Sequence, residues 1–339
     1  MSIKVIQWGV GAMGSGMIKM MLNKKDIEIV GAIVHHNPNN YKDIGEYMNI
    51  GKINVPIYMD PKDIIKKGKA DVVLHATKSF TKEVFDDLVL CMENGMSVIT
   101  IAEEMAYPYA QQPELAKKLD DIAKKNKVVC IGTGINPGFV LDTLIITLTA
   151  PCIRVDKIEA QRINDLSPFG KTVMETQGVG TTVEDFNAGL KCGKIVGHIG
   201  FPESINLIAK ALNWEIKEVK EFREPIISNV YRETPVVKVQ PGMVAGCKHI
   251  GIGYDKNGNE KIKLIHPQQI HPHLENVDTG DYIHIYGEPE IKMAIQPEIP
   301  GGKGTMAMAV NIIPQVVNSE KKGLLTMLDL TIPHSIPEK

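Results

Sequence analysis

The stretch that decides the fold is Ile3-Lys4-Val5-Ile6-Gln7-Trp8, followed at once by Gly9-Val10-Gly11-Ala12-Met13-Gly14. A short apolar run reads as a buried strand, and the Met-rich segment after it has helical character. Between them lies G-x-G-x-x-G, whose three glycines have separate duties. The first permits a tight turn, the second lets a pyrophosphate approach the backbone, and the third allows close strand–helix packing. Free N–H groups at the start of the following helix then bind phosphate oxygens. The reading is a dinucleotide-binding turn involving Gly9, Gly11, Ala12, Met13 and Gly14.

Outward from this turn, strand-like and helix-like segments alternate. Strands are expected over residues 4–8, 28–34, 72–76, 97–101 and 128–132, and helices over 13–23, 61–67, 81–94 and 112–126. Apolar strands alternating with helices specify a parallel sheet covered on both faces, the doubly wound α/β (Rossmann) class. After Asn136-Pro137-Gly138 the strands become alternating rather than continuous, at 154–164, 226–231, 236–240, 248–254, 261–266 and 281–286. Helices are expected within this half at 182–189 and 203–212. That pattern predicts an α+β domain with a mixed, mainly antiparallel sheet, one face exposed. A last helix is expected over 304–318. The expected domains are 1–135, with the segment 303–339 packing back on it, for dinucleotide binding, and 136–302 for substrate binding and dimerisation.

Length and composition fit this plan. A chain of 339 residues is natural for two domains, and 43% hydrophobic with 23% charged residues builds an ordinary globular core. A net charge of -2 without a clustered basic face argues against nucleic acid as a partner. No apolar run approaches the roughly 18 residues of a membrane span. The first strand-like segment is preceded by no basic-then-apolar export signal, so a cytoplasmic protein is expected. The five cysteines, Cys91, Cys130, Cys152, Cys192 and Cys247, are dispersed and read as reduced, mostly buried residues.

Further residues carry chemistry at strand ends. The ribose acceptor of an NAD-specific enzyme is an Asp or Glu near the end of the second strand. Here the sequence reads Ala32-Ile33-Val34-His35-His36-Asn37, with no carboxylate. NADP, or use of both NADP and NAD, is therefore expected, with His35 near the 2′-phosphate. Ala76 and Thr77 end the third strand and Ala102 follows the fourth, all beside the cofactor. Glu103 and Glu104 come next. If the chain there stays extended, adjacent side chains point to opposite sides, so one is an acid/base and the other is solvated. The segment Gly132-Thr-Gly-Ile-Asn136-Pro-Gly-Phe139 marks the switch between domains and offers Asn136 to substrate. The stretch His266-Pro-Gln-Gln-Ile-His271-Pro-His273 carries two prolines and no accompanying Cys or carboxylate pattern, and reads as an ordinary surface loop, or one that contributes a histidine to the substrate pocket, rather than as a metal site.

Together the motifs resemble the dihydrodipicolinate-reductase-like group of dehydrogenases, which includes the native amine dehydrogenases. Within it, the 2,4-diaminopentanoate dehydrogenase family is the nearest likeness. The resemblance rests on Trp8-Gly-x-Gly-Ala-Met-Gly14, Ala102-Glu-Glu-Met-Ala-Tyr-Pro108 and Gly132-Thr-Gly-Ile-Asn-Pro-Gly-Phe139. Arg162-Ile-Asn-Asp165, Gly197-His-Ile-Gly200 and the tail from Asn311 to Asp329 extend it over nearly the whole chain. It implies NAD(P)-dependent oxidative deamination of 2,4-diaminopentanoate to 2-amino-4-oxopentanoate and ammonia, a reaction of ornithine fermentation, by a homodimer. It also implies a glutamate acid/base, either Glu103 or Glu104, with Glu104 preferred. Arg162 would clamp the substrate carboxylate, completed by Asn164 and His198. The alternatives are an amine dehydrogenase for 3,5-diaminohexanoate or a keto acid, and a non-enzymatic dinucleotide sensor. A pyridine-dicarboxylate reductase is disfavoured, because its basic helix with paired histidines is not found.

Overall fold

The computed structural model describes residues 2–35 and 41–339. The chain forms two compact units, Met1–Phe139 together with Gly301–Lys339, and Val140–Pro300.

The first unit is built on β1 (Ile3–Trp8), β2 (Ile27–Ile33), β3 (Ile57–Tyr58), β4 (Val72–His75), β5 (Ser97–Thr100) and β6 (Val129–Gly132). Gly323–Leu325 adds a seventh strand beside β6, and the order continues β5, β4, β1, β2, β3. Every pairing is parallel. Successive side chains of a strand face opposite ways, and here both ways are buried. Val5 packs with Met17, Ile18 and Met21 of the Ala12–Leu22 helix on one face. Ile6 and Trp8 pack with Val84, Leu88 and Cys91 of the Thr81–Glu93 helix on the other. Burial on both faces is why these strands read as continuous apolar runs. Each large side chain removed from water stabilises the fold by about 1.5–3 kcal/mol before entropy is counted.

The expected helix at 304–318 is two helices, Gly301–Asn311 and Ile313–Val317. Pro314 enters in the first turn of the second. Proline lacks an N–H and clashes with the preceding turn, so it starts a helix more readily than it continues one.

The second unit contains β7 (Arg154–Asp165), β8 (Glu218–Ile227), β9 (Arg232–Thr234), β10 (Val237–Val239), β11 (Val244–Tyr254), β12 (Glu260–Gln269), β13 (Gly280–Glu288) and β14 (Ile291–Ile295). Six form a sheet in the order β14-β13-β7-β12-β11-β8, while β9 and β10 pair separately. Only β7 and β12 run parallel within that sheet; its other pairs are antiparallel. The Phe201–Ala211 helix covers one face, with Phe201 over Gly251 and Ile205 over Gly253. A side chain at either glycine would collide with that helix, the added carbon lying 2.7 Å from it.

The strand expected at 226–231 ends at Ile227 and begins earlier, through Glu218-Val-Lys-Glu-Phe-Arg-Glu. It is an edge strand, and its dense charge suits a face left to water while obscuring the strand pattern. No helix among the described residues is long and apolar enough to cross a membrane.

Candidate active site

The turn after β1 has the shape a pyrophosphate requires. Gly9 sits at φ +89°, and a Cβ there would come within 2.3 Å of the Ala76 carbonyl oxygen. A Cβ at Gly14 would lie 1.8 Å from the Gly9 carbonyl oxygen, so strand and helix pack with no room for a side chain. Gln7 braces the turn, its Nε2 donating to the carbonyls of Gly9 at 3.1 Å and Leu74 at 3.2 Å. Gly11 differs: it is the N-cap of the Ala12–Leu22 helix, no side chain caps that end, and a Cβ would meet nothing within 4 Å. An uncapped helix start beside open space fits a phosphate group. Ala12 and Met13 open the helix. Beyond β2, Val34 is buried and His35 exposed; His36 and Asn37 lie outside the described residues.

The ends of β4 and β5 are tied together by His75, which sequence reading passed over as one more residue of an apolar strand. Its ring is buried, with Nδ1 3.2 Å from Thr100 Oγ1 and Nε2 3.2 Å from Asp87 Oδ2. Thr77 Oγ1 lies 3.0 Å from the same Nε2. Thr100 Oγ1 also accepts from the Ala102 N–H. Ala76 and Thr77 are thus held at the end of a braced strand, both half-buried, and Ala102 is buried.

Glu103 and Glu104 are separated by their surroundings rather than by strand alternation. β5 ends at Thr100, and residues Glu103–Ala106 form a 3-10 turn, so the extended-chain argument does not apply. Glu104 is 3% exposed. Its Oε2 accepts the Thr81 backbone N–H at 2.6 Å and its Oε1 accepts Gln112 Nε2 at 3.3 Å. The Thr81–Glu93 helix has no side-chain cap of its own, so Glu104 supplies the anion at its N-terminus. Glu103 is half-buried. Burial raises its carboxyl above the usual range, partly offset by its own backbone N–H and the Ser79 side chain. Asn136 is half-buried and precedes a cis peptide to Pro137. Gly132 packs on Met105 and the 3-10 turn, joining the second glycine-rich segment to the Glu103 region.

In the second unit, Arg162 is not a free fork for a carboxylate. It is 2% exposed, Nη1 donates to Asp281 Oδ1 and Nη2 to the Ile299 carbonyl, each at 2.5 Å. Asp281 Oδ2 in turn accepts the Ile299 N–H. The reason lies in register, because Asp281 of β13 stands opposite Arg162 of β7. Its charge is compensated inside the fold, which corrects the expectation of an open bidentate clamp.

Asn164 and His198, by contrast, belong to one buried polar cluster. Asn164 Oδ1 lies 3.1 Å from His266 Nε2, and the His266 ring stands 4.9 Å from that of His198. The His198 N–H donates to His249 Nδ1 at 3.0 Å, so the His249 proton sits on Nε2, 3.0 Å from Glu221. Burial pushes His198 and His266 well below the ordinary imidazole range; the charges of His249 and Arg162 add to this at His198, and those of His198 and Arg162 at His266. Both are neutral at pH 7. His198 Nε2 is buried with no hydrogen-bond partner. His266, expected where a strand over 261–266 gives way to a loop, lies inside the longer β12, whose parallel pairing with β7 brings it to Asn164.

A glycine-lined, uncapped helix start at the end of a parallel strand marks the class, a dinucleotide-binding oxidoreductase. Residues 3–104 match the dihydrodipicolinate reductase N-terminal family and residues 139–339 the 2,4-diaminopentanoate dehydrogenase C-terminal domain. The chain belongs to the 2,4-diaminopentanoate dehydrogenase family. It is 46% identical to the 2,4-diaminopentanoate dehydrogenase of Acetoanaerobium sticklandii, covering 98% of this chain and 95% of that one. Identity to an amine dehydrogenase of Streptomyces virginiae is 22%, over 98% of both chains. The amine dehydrogenase structure from Mycobacterium smegmatis shares the fold, with TM-score 0.85, 23% identity, and 98% and 97% of the two chains covered.

Proposed function

We propose that this chain catalyses the NAD(P)-dependent oxidative deamination of 2,4-diaminopentanoate to 2-amino-4-oxopentanoate and ammonia, within ornithine fermentation. The observation that carries this reading is the 46% identity, sustained across both units, to the Acetoanaerobium sticklandii enzyme. Gly9, Gly11 and Gly14, with the N–H groups of Ala12 and Met13, hold the pyrophosphate, and Ala76, Thr77 and Ala102 adjoin the rest of the cofactor. When bound, the nicotinamide supplies the hydride acceptor. Lacking a carboxylate at Val34 or His35, the site takes both NADP and NAD, with His35 facing the 2′-phosphate.

Hydride leaves a carbon whose amine is neutral, so a base must first remove the ammonium proton. Glu103 suits this duty, since burial raises its carboxyl toward the range in which it both accepts and returns a proton. Glu104 is committed to the Thr81 helix and positions the turn. Neutral His198 offers an imidazole lone pair to an ammonium of the substrate, with Asn164 of the same unit as a further polar contact. Arg162 acts through its fixed positive field and by holding β7.

The protein is proposed as a cytoplasmic homodimer, consistent with its five free cysteines. One row on the less covered sheet face, Phe222, Ile250, Ile265, Gln161, Tyr282 and Ala294, crosses all six strands in register. Phe222 in it is 46% exposed. Sedimentation should show a dimer that Ile250→Lys dissociates; an unchanged dimer would place the interface elsewhere.

The test of function is spectrophotometric. Protein with NAD or NADP and a panel of diamino acids is followed by absorbance of the reduced cofactor. Turnover of 2,4-diaminopentanoate well above 3,5-diaminohexanoate is expected. The opposite ranking rejects the substrate, and cofactor binding without turnover of any amine favours a dinucleotide sensor.

A further inference from the structure

We infer that Asp165, His271 and His273 form a binding site for a divalent transition-metal cation at the end of β7, apart from the residues proposed above for cofactor and substrate. One ligand atom from each residue lies within 4.8 Å of the other two. The histidine spacing alone reads against a metal because no carboxylate accompanies it. The fold supplies one, since β12 runs parallel to β7 with Gln269 opposite Asp165. His271 follows two residues later, 106 positions from the aspartate in sequence.

The hydrogen bonds around the cluster prepare it for a cation. His271 Nε2 lies 2.8 Å from the Glu233 carbonyl oxygen. A carbonyl only accepts, so Nε2 carries the proton and the lone pair resides on Nδ1. This is the arrangement of a metal-bound histidine, whose far nitrogen donates to a backbone carbonyl and so fixes the tautomer and the ring. Asp165 Oδ1 accepts the His271 N–H at 3.0 Å and both the N–H and hydroxyl of Ser167. The carboxylate is thereby immobilised with Oδ2 left to coordinate.

The supporting loop is equally constrained. His271 takes a left-handed backbone at φ +44° and is followed by Pro272. Buried Arg232 donates to the Ile270 and His271 carbonyls and pairs with Glu275. The His271 and His273 rings stand 5.6 Å apart and nearly perpendicular. Two imidazoles and one carboxylate are borderline donors that favour Zn²⁺, Ni²⁺ or Co²⁺ over Mg²⁺ or Ca²⁺. His273 is exposed, so water completes the shell and the ion enters from solvent.

Calorimetric titration of Zn²⁺ into tag-free, chelator-treated protein tests the site. One ion per chain is expected, with a Zn²⁺-dependent rise in the unfolding temperature. His273→Ala, at an exposed position that tolerates truncation, should weaken binding about tenfold or more and remove the thermal shift. Cys192→Ser should retain binding, as should His284→Ala, which alters a separate exposed pair with Glu290. Absence of stoichiometric binding, unchanged affinity in His273→Ala, or loss in either control would overturn the assignment.

Discussion

Replacing Glu104 by Gln separates a scaffold role from a chemical one. In the folded chain Glu104 gives the Thr81 N–H a charged acceptor at 2.6 Å and receives Gln112 at the other oxygen. A hydrogen bond to a charged group contributes about 1.5–3 kcal/mol, while a neutral one contributes about 1 kcal/mol. Loss of the favourable anion at a helix start adds about 0.3–1 kcal/mol. Gln keeps one acceptor oxygen, so the substitution should destabilise the unit by about 1–3 kcal/mol. For a unit of this size each kcal/mol lowers Tm by roughly 2–4 °C, which gives a fall of about 2–12 °C. Turnover at a temperature where the variant is folded should remain within about tenfold of the parent. Glu103→Gln should behave oppositely, with Tm nearly unchanged, dinucleotide affinity retained, and kcat reduced about 10²–10⁴-fold. Thermal unfolding, cofactor titration and steady-state rates on both variants supply the readouts. If Glu104→Gln loses turnover more than a hundredfold while its Tm stays put, the division of labour between the two glutamates is wrong, and the acid/base role returns to Glu104.

Two further outcomes follow from the same structure. Gly11→Ala adds a methyl group into open space with an ordinary backbone, so stability should be within about 0.5 kcal/mol of the parent. Dinucleotide affinity should nevertheless fall about tenfold or more, and equal affinity would remove the pyrophosphate from this turn. For acid stability, His198 and His266 have folded pKa values below their unfolded ones. Their contribution is therefore complete above about pH 6.5 and lost as pH falls from there toward the folded pKa, by up to about 1.4 kcal/mol per pH unit for each imidazole. A chemical-unfolding series between pH 7 and pH 5 should show this slope, reduced in His266→Gln; equal slopes would mean the imidazoles are not neutral in the fold.

Much of this protein was legible in its sequence because local rules suffice where backbone and solvent alone set the answer. The Gly9–Gly14 turn demands glycine for steric reasons, and the apolar strands Ile3–Trp8 and Val72–His75 read as buried on both faces. The parallel sheet, the second mixed sheet and the family follow from such signals. Pairings across strands do not. Nothing near Arg162 in the sequence shows that β13 sets Asp281 opposite it, and nothing near Glu104 shows that its oxygen accepts the Thr81 amide. His75, His249 and His266 carry no local sign of the partners the tertiary fold assigns them. Sequence determined which backbone conformations this chain can adopt and which surfaces it must bury. Which charge meets which, and so which groups remain free for chemistry, was decided only by strand order and register, because electrostatic partners come together through space and leave no period along the chain.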